Sequence, residues 1–275
     1  MRTIAHLSDL HFGRIDPALL DPLRRRLIAL RPDLLVVSGD LTQRAKATQF
    51  RDARAYLDTL PIPRLVVPGN HDVPLYNVFQ RFLLPLARFK RFVSADLQPD
   101  FIDAEIAVVG VNTARSWVFK GGRISAEQVE GVRARICDLG DEVTKILVTH
   151  HPFDIPRDRD EEDQIVGRAK MALETLAHCG ADVLLSGHLH MTHWGHTAHR
   201  YRIAGISALV IMAGTALSTR KRGETNSFNL MRISPRHIEV DQYVWKDGDF
   251  VHATTEAFDH SGHGWAASGS RNANA

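Results

Sequence analysis

Five short polar motifs in this sequence combine aspartate, histidine and asparagine, which are residue types that bind transition metals. The sequence holds 15 histidines in 275 residues, and several of them lie in these motifs. The motifs are Ser8-Asp9-Leu10-His11, Ser38-Gly39-Asp40, Pro68-Gly69-Asn70-His71-Asp72, Thr149-His150-His151-Pro152 and Ser186-Gly187-His188-Leu189-His190. Their seven candidate metal ligands are Asp9, His11, Asp40, Asn70, His150, His188 and His190. Because imidazole nitrogens favour zinc, iron or manganese over calcium, the motifs predict a transition-metal site.

Seven ligands exceed the four that one tetrahedral zinc ion requires, and they are sufficient for two ions that share a carboxylate. Asp40 is alone on its loop, so it is the natural bridge between the two ions. Two divalent cations, two ligand aspartates and one bridging hydroxide would leave a small net positive charge. That charge suits an anionic phosphoester as the substrate.

The spacing within the motifs leads to two expectations about the backbone. In the Asp-x-His and His-x-His pairs, alternate side chains would point in nearly the same direction if the backbone were extended. Gly39, Gly69 and Gly187 each precede a candidate ligand, and they would permit tight turns where a strand meets a helix.

Each motif follows a short apolar run rich in valine, isoleucine and leucine, which is typical of a strand buried on both faces of a sheet. Six such runs cover residues 3–7, 34–37, 65–67, 106–111, 146–148 and 183–185. Helical spacing of apolar residues or a capping pattern predicts helices at 17–30, 46–60 and 125–137. Strands that alternate with helices predict an α/β architecture, and parallel strands would bring the five motifs together at one edge.

The last third of the chain is predicted to contain strands with little helix between them. These strands cover residues 201–204, 209–212, 228–233, 238–244 and 250–252. They would form a second sheet or extend the first by antiparallel pairing. From residue 260 onward, small residues dominate, so we expect one domain at 1–259 and a flexible tail at 260–275 that Trp265 could anchor.

Residues 73–100 follow the third motif and combine large apolar side chains with three arginines and one lysine. Pro85 would divide the segment into two helical pieces. One interpretation is a pair of helices packed on the sheet with a solvated basic face. The other is a small helical cap over the site, whose basic residues at 81–91 would contact a phosphate of the substrate or, peripherally, a membrane surface.

Composition and charge exclude several classes of protein. No apolar run reaches the roughly 18 residues of a transmembrane helix. With a net charge of +2 and no extended basic stripe, long nucleic acid is not expected as a partner. The N-terminus lacks an apolar leader, and the only cysteines, Cys137 and Cys179, are interpreted as unbridged packing residues in a reducing compartment. We therefore predict a cytoplasmic protein, whose oligomeric state the sequence leaves open.

The five motifs, in this order, resemble those of the calcineurin-like binuclear metallophosphoesterases over about residues 3–190. The resemblance implies an α/β fold of two packed mixed β-sheets flanked by helices. It also implies two divalent or transition-metal ions, of manganese, iron or zinc. One ion would be bound by Asp9, His11, Asp40 and His190, and the other by Asp40, Asn70, His150 and His188. Asp40 and His71 would be catalytic, and Asn70 and His71 would bind the substrate, with His71 contacting the phosphate and helping to protonate the leaving group.

Within the family, the chain is most similar to bacterial cyclic-nucleotide and glycerophosphodiester phosphodiesterases. The similarity rests on Gly121-Gly122-Arg123-Ile124-Ser125 with Gln128 and on the double histidine His150-His151-Pro152. It implies a phosphoric diester hydrolase in which a metal-bridging hydroxide attacks a small phosphodiester, with a nucleotide or a lipid headgroup as candidate substrates. His151 itself is interpreted either as a substrate contact or as a packing residue.

Several alternative functions stay open. The same binuclear site could serve a phosphomonoesterase or a nucleotide-sugar lipid pyrophosphatase. A non-catalytic metal-bound scaffold is a further alternative, although such proteins tend to lose ligand residues and this chain retains all seven. A nuclease is disfavoured, because the chain has no extended basic stripe.

Overall fold

Two β-sheets and six α-helices make up the computed structural model, which describes residues 1–118, 121–156, 162–197, 200–201, 208–220, 223–261 and 264–272. The strands are β1 (Arg2–Leu7), β2 (Leu34–Ser38), β3 (Arg64–Val67), β4 (Asp100–Ile102), β5 (Ile106–Gly110), β6 (Thr144–Val148), β7 (Val183–Ser186), β8 (His193–His196), β9 (Leu209–Met212), β10 (Ser227–Ser234), β11 (His237–Lys246), β12 (Asp249–Ser261) and β13 (Gly264–Asn272). The helices are α1 (Leu20–Leu30), α2 (Ala47–Asp58), α3 (Val78–Leu83), α4 (Ala87–Phe92), α5 (Ala126–Ile136) and α6 (Ala169–Leu176).

The first sheet has the strand order β13-β12-β11-β10-β1-β2-β3, and the second has the order β4-β5-β6-β7-β9-β8. β1, β2 and β3 are parallel neighbours in the first sheet, and β5, β6 and β7 are parallel neighbours in the second. The predicted α/β fold of two mixed sheets is therefore confirmed. In the last third, β10 to β12 extend the first sheet by antiparallel pairing, whereas β9 pairs parallel with β7. The strand predicted at 201–204 lies mostly outside the described residues.

Helices cover the outer face of each sheet, so the molecule has four layers. α1, α2 and α4 contribute buried side chains to a core on the outer face of the first sheet, and α5 and α6 do so for the second. A third core fills the space between the sheets. Along β2, Leu35 and Val37 belong to the outer core, and Leu34 and Val36 belong to the core between the sheets. Burial on both faces explains why this strand is a continuous apolar run in the sequence.

The three helices predicted from the sequence are α1, α2 and α5, with ends that differ by a few residues. α1 is preceded by a 3₁₀ turn at Pro17–Leu19, so the regular helix begins later than predicted. The capping box of α5 is present, because Gln128 N donates to Ser125 Oγ and Ser125 N donates to Gln128 Oε1. None of the helices in the described part of the chain has the length and apolar character that a membrane span requires.

Residues 73–100 form α3 and α4, which are separated at Pro85, a residue that cannot donate the hydrogen bond of a continuous helix. α4 packs on α2 through phenylalanine rings. The expected solvated basic face is only partly present. Arg81 is buried, and Arg88 Nη1 donates a hydrogen bond of 2.7 Å to a backbone carbonyl in the loop before α2. Two of the basic side chains therefore hold the segment in place.

The prediction of a flexible tail from residue 260 is wrong for Gly264–Asn272, which form the edge strand β13. β13 pairs antiparallel with β12 along its length. Trp265 is 5% exposed, and its Nε1 donates a hydrogen bond of 3.2 Å to Asp182 Oδ1. Pairing with β12 and burial of the indole offset the entropy lost on ordering a sequence of small residues, and composition does not encode either contact.

Cys137 and Cys179 form a disulfide bond, which corrects their interpretation as unbridged packing residues. Cys137 follows the last residue of α5, and Cys179 lies in the 3₁₀ turn that follows α6. The cysteines are 42 residues apart, and it is the packing of α5 against α6 that brings them together. A pairing made by tertiary packing leaves no sign in the local sequence.

We expect loss of this disulfide to lower the free energy of unfolding by about 2–4 kcal/mol, because the bond restricts the unfolded chain over a long loop. The test is guanidinium unfolding of Cys137→Ala with Cys179→Ala beside the wild type, each with and without a thiol reductant. Reductant should shift the wild-type midpoint towards that of the double variant and leave the variant unchanged. Equal midpoints for wild type with and without reductant would contradict the bond.

Candidate metal centre

The five polar motifs lie at the carboxyl ends of strands from both sheets. The first three motifs follow β1, β2 and β3, and the last two follow β6 and β7. The parallel-strand argument predicts that the motifs meet along one edge of a sheet. In the structure they instead meet across the two facing sheets, so the site depends on how the sheets pack as well as on the direction of the strands.

A first group of ligand atoms comes from Asp9, His11, Asp40 and His190, and one atom from each lies within 4.8 Å of the others. His11 Nε2 lies 3.2 Å from His190 Nε2 and 3.4 Å from Asp9 Oδ1. All four residues are buried. Asp9 Oδ2 accepts two hydrogen bonds, whereas Asp9 Oδ1 has no hydrogen-bond partner among the described residues and faces the histidines.

A second group forms around His150. His150 Nε2 lies 3.1 Å from Asn70 Oδ1 and 3.2 Å from His188 Nδ1. His151 belongs to the same nitrogen-rich region, since one nitrogen each from His150, His151 and His188 lies within 4.8 Å of the others. His151 Nδ1 lies 2.8 Å from Thr113 Oγ1, and His151 Nε2 is buried without a hydrogen-bond partner among the described residues. His151 is therefore a neighbour of the second group.

Asp40 lies between the two groups. Its Oδ2 is 3.7 Å from His11 Nε2 in the first group, and its Oδ1 is 3.4 Å from His150 Nε2 in the second. The backbone amide of His71 donates a hydrogen bond of 2.8 Å to Asp40 Oδ1 and so holds the carboxylate in this orientation. One carboxylate thus presents one oxygen to each group, which is the geometry that a bridging ligand needs.

The backbone in the Asp-x-His and His-x-His pairs is not extended, so the condition for aligned alternate side chains is not met. Of the ten non-glycine residues with a positive φ in the described chain, five are candidate ligands. Their φ angles are 53° at Asp9, 51° at His11, 53° at Asp40, 74° at His188 and 58° at His190. Left-handed backbone costs an L-residue about 1–2 kcal/mol, so the surrounding packing must stabilise these loops. Strain of this kind is concentrated at functional sites.

Glycines beside the ligands are required mainly for space. Gly39 has a φ of 94°, and a Cβ there would lie 2.6 Å from the His150 ring. A Cβ on Gly69 would lie 2.1 Å from Asp40 Oδ1, and one on Gly187 would lie 1.7 Å from a serine hydroxyl. Only Gly39 of these three has a positive φ. The tight-turn explanation therefore holds for Gly39, whereas Gly69 and Gly187 allow neighbouring loops to touch.

Three of the candidate ligand histidines are oriented by hydrogen bonds from the ring nitrogen that faces away from the groups. The pairs are His150 Nδ1 with Ser38 O (2.8 Å), His190 Nδ1 with Arg220 O (2.9 Å) and His188 Nε2 with Gln164 Oε1 (2.7 Å). A carbonyl oxygen only accepts, so each of these nitrogens carries a proton, and the opposite nitrogen is the one that can offer a lone pair to a metal when the ring is neutral. Gln164 and Arg220 were not predicted, because they lie outside the motifs. Only the folding of the chain brings them next to the candidate ligands.

The buried charges of the site fit a cation. Burial alone would raise the pKa values of Asp9 and Asp40, but the neighbouring histidines outweigh it and lower both well below the usual range. Burial alone would lower the pKa of His150, but Asp40 and Asp9 raise it to about 9. The carboxylates thus stay ionised and need positive charge beside them. Without a metal, protonated histidines such as His150 supply that charge. A bound divalent cation would supply it in their place, and the deprotonated ring nitrogens and the carboxylate oxygens would be its ligands.

Asp72 joins the loop of Asp40 to the loop of Asn70. Its Oδ1 accepts hydrogen bonds of 2.9 Å from both Thr42 N and Thr42 Oγ1, and its Oδ2 accepts from the backbone amides of Leu41 and Gly69. Burial and the nearby Asp40 raise its pKa to about 7. With both oxygens used in this way, Asp72 orients the loops and is not one of the converging ligand atoms.

His71 lies at the edge of the two groups, with 17% of its side chain exposed. His71 Nδ1 donates a hydrogen bond of 2.9 Å to Gln43 O, so His71 Nε2 accepts one of 2.8 Å from Arg220 Nη1. Burial lowers the pKa of His71, although Asp40 opposes the shift. His71 and Asn70 line a cleft of about 180 Å³. The other lining residues are Gln43, Arg44, Val73, Leu75 and Arg81.

The sequence model of calcineurin-like phosphoesterases matches residues 2–192, the part of the chain that carries all five motifs. The chain belongs to the calcineurin-like phosphoesterase family. The resemblance drawn from the motifs is confirmed, and so is the similarity to bacterial phosphodiesterases within the family.

Three curated relatives of this calcineurin-like phosphoesterase carry phosphodiesterase names. It is 29% identical to the glycerophosphodiester phosphodiesterase GpdQ of Enterobacter lignolyticus, over 54% of the chain and 57% of the relative. It is 27% identical to the 3',5'-cyclic adenosine monophosphate phosphodiesterase CpdA of Escherichia coli, over 68% of the chain and 69% of the relative. It is 23% identical to a probable cyclic nucleotide phosphodiesterase of Synechococcus, over 91% of the chain and 94% of the relative. The chain thus spans little more than half the length of GpdQ.

Two solved structures share the fold at low sequence identity. Purple acid phosphatase PPD1 from yellow lupin superposes with a TM-score of 0.67 at 10% identity, over 93% of this chain and 53% of that one. GAP50, the anchor in the inner membrane complex of Plasmodium, superposes with a TM-score of 0.55 at 14% identity, over 91% and 86%. At these identities the likeness supports the fold alone, and it agrees with the two packed mixed sheets.

Because Asp40 presents one oxygen to each group, Asp40→Ala should abolish metal binding at both. His11→Ala changes only the first group, so it should retain metal at the second. Elemental analysis after dialysis gives the number of metal ions per chain for both variants and the wild type. A bridging role for Asp40 is contradicted by an Asp40→Ala chain that retains the wild-type metal content.

Proposed function

We propose that this calcineurin-like phosphoesterase hydrolyses small phosphodiesters in a metal-dependent reaction. The observation that carries the proposal is the position of Asp40, whose two carboxylate oxygens face two separate groups of side chains that could hold a metal ion. The names of the relatives GpdQ, CpdA and the Synechococcus protein support a phosphodiester as the substrate. Candidate substrates are cyclic nucleotides and diesters of a lipid headgroup.

The seven candidate ligands are proposed to hold two ions in the division that the family resemblance implies. Asp9, His11, Asp40 and His190 would hold one, and Asp40, Asn70, His150 and His188 the other. Manganese, iron or zinc suits this mixture of imidazole and oxygen ligands. When bound, such ions polarise phosphoryl oxygens and lower the pKa of a coordinated water.

His71 and Arg220 are proposed to act on different parts of the substrate. Arg220 donates to His71 Nε2 when no substrate is present. An anionic phosphoryl group in the cleft would compete for this guanidinium, and Arg220 would then donate to the non-bridging phosphoryl oxygens. His71 Nε2 would be left to face the leaving oxygen and to transfer a proton to it. Asn70, beside His71, would help to position the phosphate.

A nucleotide-sugar lipid pyrophosphatase is retained as a second candidate function. The chain is 36% identical to the UDP-2,3-diacylglucosamine pyrophosphatase LpxG of Chlamydia muridarum over 76 residues, which are 26% of this chain and 23% of that one. A phosphomonoesterase on the same site has no comparable support. The non-catalytic scaffold is disfavoured, because all seven candidate ligands are present and converge.

The proposed location is the cytoplasm, as predicted from the sequence. The disulfide between Cys137 and Cys179 removes the cysteine argument for that location, because disulfides persist mainly in oxidising compartments. Long nucleic acid is not proposed as a partner.

Assays with bis(p-nitrophenyl) phosphate and p-nitrophenyl phosphate test the proposed reaction, on protein stripped of metal and then reloaded with manganese, iron or zinc. Phosphodiester hydrolysis that depends on the added metal and exceeds monoester hydrolysis is the expected result. A parallel screen would use cyclic nucleotides, glycerophosphodiesters and a nucleotide-linked lipid diphosphate. Hydrolysis of the monoester or of the diphosphate alone would replace the proposal by the corresponding alternative.

His71→Ala and Arg220→Ala should differ in their dependence on the leaving group. His71→Ala should lower turnover by on the order of 10²–10⁴, with a smaller loss for p-nitrophenol than for an alkyl leaving group that needs the proton. Arg220→Ala should lower kcat/KM by on the order of 10²–10³ for both leaving groups, because it would bind the phosphoryl oxygens. Arg220→Lys keeps the charge and serves as the control. Equal losses in His71→Ala for both leaving groups would leave that residue a binding role only.

A further inference from the structure

Seven large apolar side chains form an exposed surface beside the cleft, which we call the apolar ridge. Among the described residues, ten large apolar side chains are exposed, and seven of them lie here. The ridge consists of Leu75, Tyr76, Val78, Phe79, Leu83, Leu84 and Trp117. Phe79 is 69% exposed and Trp117 is 80% exposed. Single exposed apolar residues are ordinary, whereas seven within one segment and the loop packed against it point to an interaction surface.

The buried side chain of Arg81 orients α3 so that the ridge faces solvent. α3 buries Arg81, which is 4% exposed, while Phe79 and Leu83, one helical turn apart, face solvent. Arg81 Nε donates a hydrogen bond of 2.8 Å to Ser116 O, and Arg81 Nη1 donates one of 3.0 Å to Pro74 O. These bonds tie α3 to the loop that carries Trp117. The helix is therefore inverted relative to the usual amphipathic pattern, in which the apolar face is buried.

Ring contacts join the two parts of the ridge and connect it to basic side chains. The Trp117 ring lies 4.3 Å from that of Phe82 on α3, measured between centroids. The Arg44 guanidinium lies 5.5 Å from the centroid of the Tyr76 ring. The sequence from 73 to 95 contains no acidic residue, and Lys90 and Arg91 of α4 are exposed. The ridge is thus apolar, with the Arg44 guanidinium beside it and the exposed Lys90 and Arg91 farther along the same segment without acidic residues.

We propose that the apolar ridge docks on the surface of a lipid bilayer that contains anionic lipids. Tyrosine and tryptophan are enriched at the boundary between the acyl chains and water, and exposed lysine and arginine are attracted to anionic headgroups. The basic segment 81–91 was expected to make such a contact, but Arg81 and Arg88 bond within the protein. We therefore assign the membrane contact to the apolar side chains of α3 and of the loop at Trp117.

Docking through the ridge brings the cleft to the level of the lipid headgroups. Leu75 belongs to the ridge and also lines the cleft, together with Asn70 and His71. A phosphodiester in a lipid headgroup could then enter the cleft without leaving the bilayer. This last statement rests on the proposed function, whereas docking itself does not.

Vesicle co-sedimentation tests the docking, with phosphatidylcholine vesicles and with phosphatidylcholine mixed with phosphatidylglycerol. The wild-type chain should bind the mixed vesicles more tightly, and salt should weaken that binding. Phe79→Ser with Leu83→Ser should reduce the partition into mixed vesicles by roughly tenfold or more. Ile102→Ser, at a residue that is 41% exposed and outside the ridge, is the matched control and should bind like the wild type. Phe79→Trp should retain binding.

Two readouts separate docking from the reaction and from protein association. Hydrolysis of bis(p-nitrophenyl) phosphate should be the same for the ridge variant and the wild type, since neither Phe79 nor Leu83 belongs to the site. Vesicle binding by a wild-type chain without diesterase activity would contradict the proposed function and still support docking. Docking is overturned if the wild type does not bind mixed vesicles, or if the ridge variant binds them as well as the wild type does. It is also overturned if gel filtration shows that the ridge variant dissociates a wild-type dimer, because a second copy would then cover the ridge.

Discussion

A single buried carboxylate, that of Asp40, lies between two groups of side chains, and its need for positive charge on both sides organises the site. The first group is two imidazoles and the Asp9 carboxylate, and the second is two imidazoles and the Asn70 amide. An ionised carboxylate in a protein interior costs several kcal/mol unless charges and hydrogen bonds compensate it. Here the His71 amide holds one oxygen, and His11 and His150 face the carboxylate from opposite sides. Removal of any of these partners would leave part of the buried charge without compensation. The loops that supply the partners therefore depend on one another for their stability.

That coupling explains why the loops tolerate an unfavourable backbone. Five candidate ligands have positive φ angles, at a cost of about 1–2 kcal/mol each. The cores on both faces of each sheet hold the strand ends rigidly enough to maintain these conformations. Gly69 and Gly187 add a second constraint, since a Cβ at either position would overlap the neighbouring loop. The site is therefore a property of closely packed loops that rigid strands hold in position.

The segment after the third motif connects the site to the molecular surface in an unusual way. A helix that buries an arginine and exposes phenylalanine and leucine would be unstable as an isolated element in water. Arg81 compensates for its burial by bonding to two backbone carbonyls, and so anchors α3 next to the cleft. The same side chain lines the cleft and orients the ridge, so the shape of the cleft and the exposure of the apolar surface depend on one residue.

The sequence by itself determined the strands that end in the motifs, three of the helices and the residues that could bind metal, because each of these is a local pattern. Burial on both faces requires continuous apolar runs such as that of β2, and metal chemistry requires aspartate and histidine. Only the tertiary structure decided which side chains meet. The bond from Gln164 to His188, the position of Arg220 beside His71, the disulfide and the ordered β13 each join residues far apart in the chain. Such contacts arise from the packing of sheets and loops, so the pattern of any one segment does not contain them. The inverted burial of α3 was missed for the same reason: whether an arginine faces inward depends on the carbonyls that surround it, and the folded chain alone supplies them.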